Sequence, residues 1–280
     1  MKPRRILVTG SEGFIGGHLF NRLTELGFAV VGADIKNFID IRSYKFHDPY
    51  DIIFHLAADA SIPRSFEDPV ESHSHNVLGT LRILEYARKV GANVVFSSSS
   101  SVYGEPQEIP TSEECPLSPG SPYGFQKLMC EEYCKFYWGL GVKSVALRYF
   151  NVFGERQEIA NGGGDSSLAI GIFLEQHKNG KPFTIVGTGE QRRDFVYVKD
   201  VVEANIKAAE WLEKAEGFEV FNIGTGVNYS ILDIADMINP SGEKVFIPPR
   251  PEPLYGLANI EKAKNLLNWE PKVSIKDWLK

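Results

Sequence analysis

Runs of apolar, β-branched residues alternate with helical segments over the first 150 residues. The strands predicted from these runs are RRILVTG, AVVGADI, DIIFHLAA, NVVFSSSS and SVALRYF. Helices are predicted between them, beginning near Phe14, Val70 and Tyr123. Within the runs, apolar residues follow one another instead of alternating with polar ones, which is typical of parallel strands covered on both faces. The pattern predicts a doubly wound parallel α/β sheet in residues 1–150.

The pattern loosens after Asn151. The segment NGGGDSS at 161–167 predicts a flexible loop, whereas KPFTIVG, DFVYV and EVFNIG predict short strands separated by helices. PPRPEP at 248–253 predicts extended chain, because proline fixes φ and biases the preceding residue away from the helix. We expect residues 151–280 to form mainly a smaller C-terminal α/β lobe for the substrate. Whether some of its segments return to the first sheet stays open.

A glycine-rich turn follows the first predicted strand. Gly10, Gly13 and Gly16 lie in TGSEGFIGGHL, where Phe14 and Ile15 open the next helix. Glycines permit a tight turn and a close backbone approach, and free N–H groups at the helix start can bind a pyrophosphate. The spacing alone is a weak signal, but a strand before it and a helix after it are the context that supports a dinucleotide site. The sequence therefore predicts a Rossmann-type NAD-binding domain in residues 1–150.

Two acidic residues are candidates for the adenosine end of the cofactor. Asp34 ends the second predicted strand, where a carboxylate would accept a hydrogen bond from the ribose 2′-OH and repel a 2′-phosphate, so NAD is favoured over NADP. The alternative for Asp34 is a turn residue at the strand end. Asp40 and Ile41 are candidates to flank the adenine, although Asp40 could equally cap a turn.

Tyr123 and Lys127 in SPYGFQK are four residues apart and therefore share one helix face. An ammonium at about 4 Å would favour the phenolate by roughly 4 kcal/mol at an effective dielectric of about 20. That energy corresponds to about three pKa units, which would bring a tyrosine from about 10 toward neutrality. The pair is therefore a candidate general base, and the alternative is an ordinary surface helix pair.

Composition excludes several classes of function. Hydrophobic residues make up 43% and charged residues 24% of the chain, as in an ordinary soluble globular protein. The net charge of −6, without a basic run, argues against a nucleic-acid surface. No apolar stretch approaches the ~20 residues that span a bilayer, and no secretory signal is seen at the start. Cys115, Cys130 and Cys134 lack zinc-site spacing, so we expect buried free thiols, no metal site and a cytoplasmic location.

The ordered motifs TGSEGFIG, HLAA, SSSSSVYG, YGFQK and RYFNVFG resemble the extended short-chain dehydrogenase/reductase superfamily. Within it, the chain is most similar to the nucleotide-sugar 4-epimerases that act on UDP-glucose and UDP-galactose. The resemblance implies a catalytic serine at Ser99, together with Tyr123 and Lys127. It also implies a set of cofactor-binding residues, namely Leu56, Ala57, Ala58, Asn76, Ser97, Tyr123, Lys127 and Phe150.

On the substrate side, the resemblance implies that Asn151 reaches the phosphates and that Arg193 and Arg250 bind the diphosphate. Planar guanidinium groups suit phosphate oxygens, although either arginine could instead form a surface ion pair. Asn151 could be only a turn former. By the same resemblance, Gly256 lies at or next to a gate beside the sugar C2, so UDP-sugars with an N-acetyl group would be accepted. Gly256 could instead be a turn glycine, with Tyr255 at the gate.

The implied reaction is C4 epimerisation. Tyr123 takes the proton from the sugar 4-OH while Ser99 binds that oxygen, and NAD takes the C4 hydride and returns it on the opposite face of a 4-ketose. Superfamily dehydratases and decarboxylases carry acids directly after the catalytic serine or threonine, and Ser100 and Ser101 stand there instead. This disfavours a dehydratase.

Three alternatives stay open: a UDP-uronic acid 4-epimerase, a nucleotide-sugar dehydrogenase or reductase, and a non-enzymatic NAD-binding sensor or scaffold. The resemblance also implies a homodimer formed by the helices that begin near Val70 and Tyr123, with Leu78, Leu81, Leu84 and Leu128 as apolar positions, some of which must face the sheet. Finally, the stretch from Asp34 to Asp40 is shorter than in the family, so we expect a more open adenine pocket.

Overall fold

Six parallel strands form the central sheet of this computed structural model, which describes residues 5–157, 169–249 and 252–280. Neighbouring strands follow the order β2-β1-β3-β4-β5-β9. Their bounds are β1 Arg5–Thr9, β2 Ala29–Ala33, β3 Ile52–His55, β4 Asn93–Ser99, β5 Ser144–Tyr149 and β9 Glu219–Ile223. The five strands predicted before residue 150 are confirmed. The sixth, within the predicted EVFNIG segment, comes from the C-terminal half and pairs with β5.

Helices cover both faces of this sheet, as the consecutive apolar residues predicted. Their bounds are α1 Phe14–Glu25, α2 Ile62–Glu67, α3 Pro69–His73, α4 Gly79–Val90, α5 Pro122–Trp138, α6 Ala169–Lys178, α7 Val198–Leu212, α8 Ile231–Ile238 and α9 Ile275–Trp278. Helices α1 and α7 pack on one face and α4 and α5 on the other. Ile6 and Val8 belong to the first core, and Leu7, between them, belongs to the second. None of the helices described is long and apolar enough to cross a membrane.

The remaining strands form two small sheets. One has the order β10-β8-β6 and the other pairs β11 with β7. These strands are β6 Asn151–Phe153, β7 Phe183–Val186, β8 Arg192–Tyr197, β10 Asn228–Ser230 and β11 Lys244–Ile247. KPFTIVG and DFVYV are thus confirmed as strands, whereas the predicted loop at 161–167 lies outside the described residues.

The strand order reverses at β1, which lies between β2 and β3. In doubly wound sheets, ligands bind in the crevice that such a reversal opens at the carboxyl ends of the strands. The short connection after β2 forms a 3₁₀ turn, Ile35–Asn37, and reaches β3 without another strand, so β2 is the edge of the sheet. The prediction of an open adenine pocket rests on the shortness of this connection.

Candidate active site

The turn after β1 has room only for glycine at two positions. A Cβ on Gly16 would lie 2.0 Å from the carbonyl oxygen of Gly10, and Gly10 itself has φ +73° beneath the backbone of Ala57. Gly13 is the N-cap of α1, and within the described residues no side chain caps this helix. The first-turn N–H groups, which begin at Phe14 and Ile15, are therefore available to an anion. A pyrophosphate fits this cradle.

Asp34 is nearly buried at the end of β2 and holds the glycine turn in place. Its Oδ2 accepts from the Glu12 N–H at 3.0 Å, and its Oδ1 accepts from the Lys36 N–H at 2.9 Å, capping the 3₁₀ turn. The turn role considered for Asp34 is therefore real. It does not exhaust the carboxylate, since an ionised carboxyl has about four acceptor sites. Capacity for a ribose hydroxyl remains, so the side chain fits both interpretations.

Asp40 is engaged by a neighbour. Arg42 donates to both of its carboxylate oxygens, at 2.7 and 3.0 Å, and this pairing lowers the pKa of Asp40. Arg42 also donates to Glu71 at 2.7 Å, which links the segment to α3. Of the two interpretations of Asp40, the structure matches the turn cap, because its Oδ1 accepts the Arg42 backbone N–H. Ile41 is buried and packs its side chain into the core, so only its backbone could reach an adenine.

Leu56, Ala57 and Ala58 follow β3 and form the wall opposite the glycine turn. The Leu56 N–H donates to the Thr9 carbonyl at 3.2 Å, and the Ala57 N–H donates to Thr9 Oγ1 at 3.2 Å. Their position is therefore fixed by hydrogen bonds to the end of β1.

A buried histidine extends this connection to the helices. His55 lies 2.7 Å from Thr9 Oγ1 through Nδ1 and 3.0 Å from Thr80 Oγ1 through Nε2. Burial, with a smaller contribution from Lys127, lowers the pKa of His55 to about 3, so the imidazole is neutral. The Thr80 hydroxyl donates onward to the Asn76 carbonyl at 2.6 Å.

Asn76, predicted at the cofactor, is buried in a π-helical turn, Ser74–Leu78. Its amide exchanges hydrogen bonds with the Asp59 backbone at 2.8 and 3.0 Å and donates to Gln126 at 2.7 Å. Asn76 thus joins the wall after β3 to helix α5, and its amide positions the cofactor wall.

Ser99, Tyr123 and Lys127 are brought together as predicted. Ser99 ends β4, and its hydroxyl lies close enough to Tyr123 to lower the pKa of that phenol. Ser101 donates to Ser99 Oγ at 2.9 Å, leaving the Ser99 proton for Tyr123 or a substrate oxygen. Lys127 donates to the Ser97 carbonyl at 2.7 Å, so Ser97 acts here through its backbone.

The expected direction of the Tyr123 pKa is wrong for this structure. Burial raises the pKa of Tyr123 to about 12; the Ser99 hydrogen bond opposes this rise and the Asp59 charge adds to it. The Lys127 ammonium lies 5.8 Å from the ring centroid of Tyr123 and is bonded to Ser97, so its attraction does not offset burial. Burial also lowers the pKa of Lys127 to about 8. Helix spacing predicts a shared face, but not the depth at which the two groups lie.

Phe150 and Asn151 join β5 to β6. Phe150 is buried in a small core with Tyr103, their ring centroids 6.5 Å apart, and its role at the cofactor stays a prediction. Asn151 begins β6, paired with Phe195, and is partly buried. Its proposed contact with phosphates stays a prediction.

Arg193 lies on β8 and forms an ion pair with Glu252, with 2.8 Å between Nη2 and Oε2. The side chains are 12% and 28% exposed, so the pair is partly shielded from water. An ion pair was the alternative role for this arginine. Arg250 lies outside the described residues.

The next residue along β8 organises the loops around Arg193. The carboxylate of Asp194 is buried and accepts from Thr225, Gly226 and Ala258 at 2.7 to 3.1 Å. Sequence reasoning missed Asp194, and its signal was the acid inside an otherwise apolar strand, DFVYV.

Gly256 lies against Arg193. A Cβ on Gly256 would meet the Arg192 carbonyl at 3.7 Å and the Arg193 side chain at 3.8 Å, which are ordinary contacts. Its φ is outside the left-handed region, so the backbone does not require glycine. The turn-glycine alternative therefore has no conformational support here.

The sequence profile of the NAD dependent epimerase/dehydratase family matches residues 6–224. The chain is 37% identical over 303 residues to a putative UDP-glucose 4-epimerase of Methanocaldococcus jannaschii, covering 98% of this chain and 96% of that protein.

Two solved structures resemble the whole chain. UDP-N-acetylglucosamine 4-epimerase of Methanobrevibacter ruminantium, in complex with UDP-N-acetylmuramic acid, has a TM-score of 0.90, 32% identity and coverage of 100% of this chain and 96% of its own. UDP-glucuronic acid 4-epimerase of Bacillus cereus, in complex with UDP-glucuronic acid and NAD, has a TM-score of 0.86, 32% identity and coverage of 98% and 96%.

Proposed function

The chain belongs to the NAD-dependent epimerase/dehydratase family, and from this premise we propose that it inverts C4 of a UDP-hexose such as UDP-glucose or UDP-galactose. The carrying observation is that Ser99, at the end of β4, lies close to Tyr123 on α5, beside Lys127. Serines follow Ser99 where acid chemistry at C5 or C6 would need a carboxyl group. These groups suffice for a proton transfer at one sugar hydroxyl.

In the proposed reaction, Tyr123 first releases its own proton to solvent, and the phenolate then accepts the 4-OH proton while Ser99 donates to the sugar O4. Lys127 supplies positive charge that favours the Tyr123 phenolate before the transfer. The glycine turn and the wall after β3 would hold NAD, which would supply reversible hydride acceptance at C4. Arg193 and Arg250 would hold the diphosphate. Loose contacts to the sugar would let the 4-ketose rotate between the removal and the return of the hydride.

A UDP-uronic acid 4-epimerase is the second candidate, because a solved relative with that activity matches 98% of the chain. Asp59 argues against it. Its carboxylate is close enough to Tyr123 to raise the pKa of the phenol, and a sugar carboxylate at C5 would lie near the same groups. We therefore expect neutral hexoses to be preferred.

The test is C4 inversion followed by NMR with UDP-glucose, UDP-N-acetylglucosamine and UDP-glucuronate. Inversion of the neutral sugars without net NADH production is expected. Ser99→Ala should lose the reaction, whereas Ser100→Ala, its neighbour with no assigned chemistry, should keep it. Net NADH production would identify a dehydrogenase, and NAD binding without turnover of any sugar would identify a sensor or scaffold.

We also propose that UDP-N-acetyl sugars are accepted, through the space at Gly256. The backbone there tolerates a side chain, so Gly256→Tyr should fold and fill that space. The ratio of kcat/KM for UDP-GlcNAc to that for UDP-Glc should fall about tenfold or more, as for a steric loss of roughly 1–3 kcal/mol. Rejection of UDP-GlcNAc by the wild type, or an unchanged ratio in the variant, would contradict the gate.

A homodimer through α5 and the helix before it is proposed as well. Phe125 and Phe136 are 56% and 63% exposed on α5, on a shallow apolar groove, and Leu78 is 40% exposed. Leu84 is buried and faces the sheet instead. Helix faces like these need cover in a soluble protein, and a second copy of the same face is the commonest form.

Light scattering should therefore give twice the chain mass of 31.3 kDa. Phe136→Glu should halve that mass, whereas Phe246→Glu, at an exposed phenylalanine on β11, should not. A wild-type monomer at micromolar concentration would contradict the dimer. The three cysteines are free and buried, which supports the further proposal of a cytoplasmic location.

A further inference from the structure

Glu131 continues the spacing of the catalytic pair by one helical turn. Tyr123, Lys127 and Glu131 are each four residues apart on α5, so they share one face. Glu131 is 3% exposed, and Arg148 of β5 donates to both of its carboxylate oxygens, at 2.7 and 3.0 Å. A two-point, charge-assisted contact of this kind fixes geometry as well as charge. Glu131, one helical turn after Lys127 on this face, is therefore a rigidly held anion.

The pair is tied to the sheet and to the substrate side. Ser98 of β4 donates to Glu131, and Arg148 donates to Tyr103 Oη at 2.8 Å. The Tyr103 hydroxyl donates to Asn222 of β9 at 2.7 Å. Three strands and helix α5 thus meet in one buried polar network.

Asn222 carries the network to the loops beyond the sheet. Its Nδ2 donates to the carbonyl of Thr111 at 2.9 Å and to that of Asn259 at 3.3 Å, and its N–H donates to Glu113 at 2.8 Å. Asn259 lies three residues after Gly256, in the segment that precedes the last helices. The depth of α5 is therefore set together with the position of that segment.

Glu131 also contributes charge at Lys127. The groups that raise the pKa of Lys127 against the effect of burial are Cys130, Glu131 and Cys134. Burial raises the pKa of Cys130 to about 11 and that of Cys134 well above its usual value, so both thiols are uncharged at neutral pH. Of these three groups, Glu131 is therefore the anion.

Within the described part of the chain, the other elements packed around Lys127 contribute no further negative charge. His55 of β3 is neutral, β4 presents the Ser97 carbonyl and the Phe96 ring, and Tyr123 is protonated at rest. Arg148 is positive and is bonded to Glu131.

We propose that Glu131, held by Arg148, positions Lys127 and supplies the negative charge that keeps its ammonium protonated beside Tyr123. Both members of the pair are positioning residues, since they act through Lys127. The inference rests on the proposed function only in assigning Tyr123 and Lys127 to catalysis. A merely structural ion pair would have no effect on Lys127. Such buried pairs can often be replaced by apolar residues without loss of stability.

The first test follows the Lys127 ammonium by NMR titration of lysine-labelled, NAD-bound protein, with the signal assigned by its loss in Lys127→Met. The wild-type midpoint is expected near 8. Glu131→Gln should lower it by about one unit or more, since an opposite charge at close range shifts a pKa by roughly 1–3 units. Glu132→Gln removes an exposed carboxylate from the adjacent position of the same helix and should leave the midpoint unchanged.

Glu131→Gln leaves Arg148 buried without its partner and could unfold the protein. The double variant Glu131→Met/Arg148→Met removes both charges and fills the space, so its folding is checked by circular dichroism. Its Lys127 midpoint should lie between those of the wild type and Glu131→Gln. If the double variant keeps the wild-type midpoint, the proposed role of Glu131 is wrong.

Activity supplies an independent measurement. The proposed reaction needs Lys127 protonated and Tyr123 as the phenolate. Because the pKa of Tyr123 lies above that of Lys127, kcat/KM should rise with pH up to the Lys127 pKa and then level off, and this break should move to lower pH by the same shift in the variants. A shifted NMR midpoint in a wild type that inverts no UDP-sugar would reject the proposed function and support this inference. A break in the pH profile that does not follow the NMR shift would reject the inference and leave the function standing.

Discussion

The two sides of the crevice are built differently, one mainly from backbone groups and the other mainly from charged side chains. On the cofactor side, the backbone of the Gly10–Gly16 turn and the uncapped start of α1 form the cradle, and Asp34 keeps acceptor capacity. On the side proposed for the substrate, charged side chains hold one another: Arg193 is paired with Glu252, and Asp194 binds the neighbouring loops. A backbone site is preformed once the turn closes. A side-chain site is set by partners that are far apart in sequence.

If the two sides act separately, a change at the reacting group between them should stop the reaction and leave NAD binding and UDP binding unchanged. Tyr123→Phe keeps the ring and removes the hydroxyl that accepts the proton. Turnover should fall by about 10⁴-fold, the upper end for a general base. NAD and UDP binding, measured by calorimetry, should stay within twofold, as should the turnover of Tyr133→Phe on the same helix. Substantial residual turnover in Tyr123→Phe would remove it from the mechanism.

Gly16→Ala should break the cofactor side alone. The added Cβ lies 2.0 Å from a carbonyl oxygen, so the turn must open. Overpacking of this kind costs about 1–3 kcal/mol, which corresponds to a loss of NAD affinity of roughly 10- to 100-fold. UDP affinity should be unchanged. Gly217→Ala, where nothing lies within 4 Å of the new atom, is the control. Equal loss of NAD and UDP binding would show that the two sides are not separable.

Glu252→Gln should sharpen the substrate side. The diphosphate must compete with Glu252 for the Arg193 guanidinium, so removing the negative charge should tighten UDP binding. An increase of about fivefold is expected, equivalent to the roughly 1 kcal/mol of a partly exposed pair. Glu243→Gln, at an exposed carboxylate of the same lobe, should have no effect, and Arg193→Met should weaken binding. Weaker binding by Glu252→Gln would mean that Glu252 orients Arg193 for the phosphates.

The comparison also explains what could be predicted from sequence. The glycine turn, α1 and the five strands before residue 150 follow from local patterns, because consecutive apolar residues and glycine spacing report directly on backbone environment. Ser99 was placed by the family resemblance, and Tyr123 and Lys127 by their four-residue spacing on one helix face. The protonation states of Tyr123 and Lys127 were not predicted correctly, because the depth of burial depends on every segment that packs over α5.

Contacts between distant segments account for the rest. Arg42 with Asp40 is the local exception, a pair two residues apart whose charges were visible in the sequence. Arg148 with Glu131, and Arg193 with Glu252, join residues whose proximity depends on strand order. The same holds for EVFNIG, whose apolar pattern predicts a strand without specifying its sheet.

Because β9 pairs with β5, the central sheet can be completed only late in synthesis on the ribosome. Residues up to 149 can pair β1 to β5, but the outer side of β5 stays an open strand edge until residue 223 emerges. Helix α7, which covers one face of the sheet, also arrives only between residues 198 and 212. An unpaired edge and an uncovered apolar face are the features that favour aggregation during synthesis. The nucleotide half therefore matures last, although most of it is translated first.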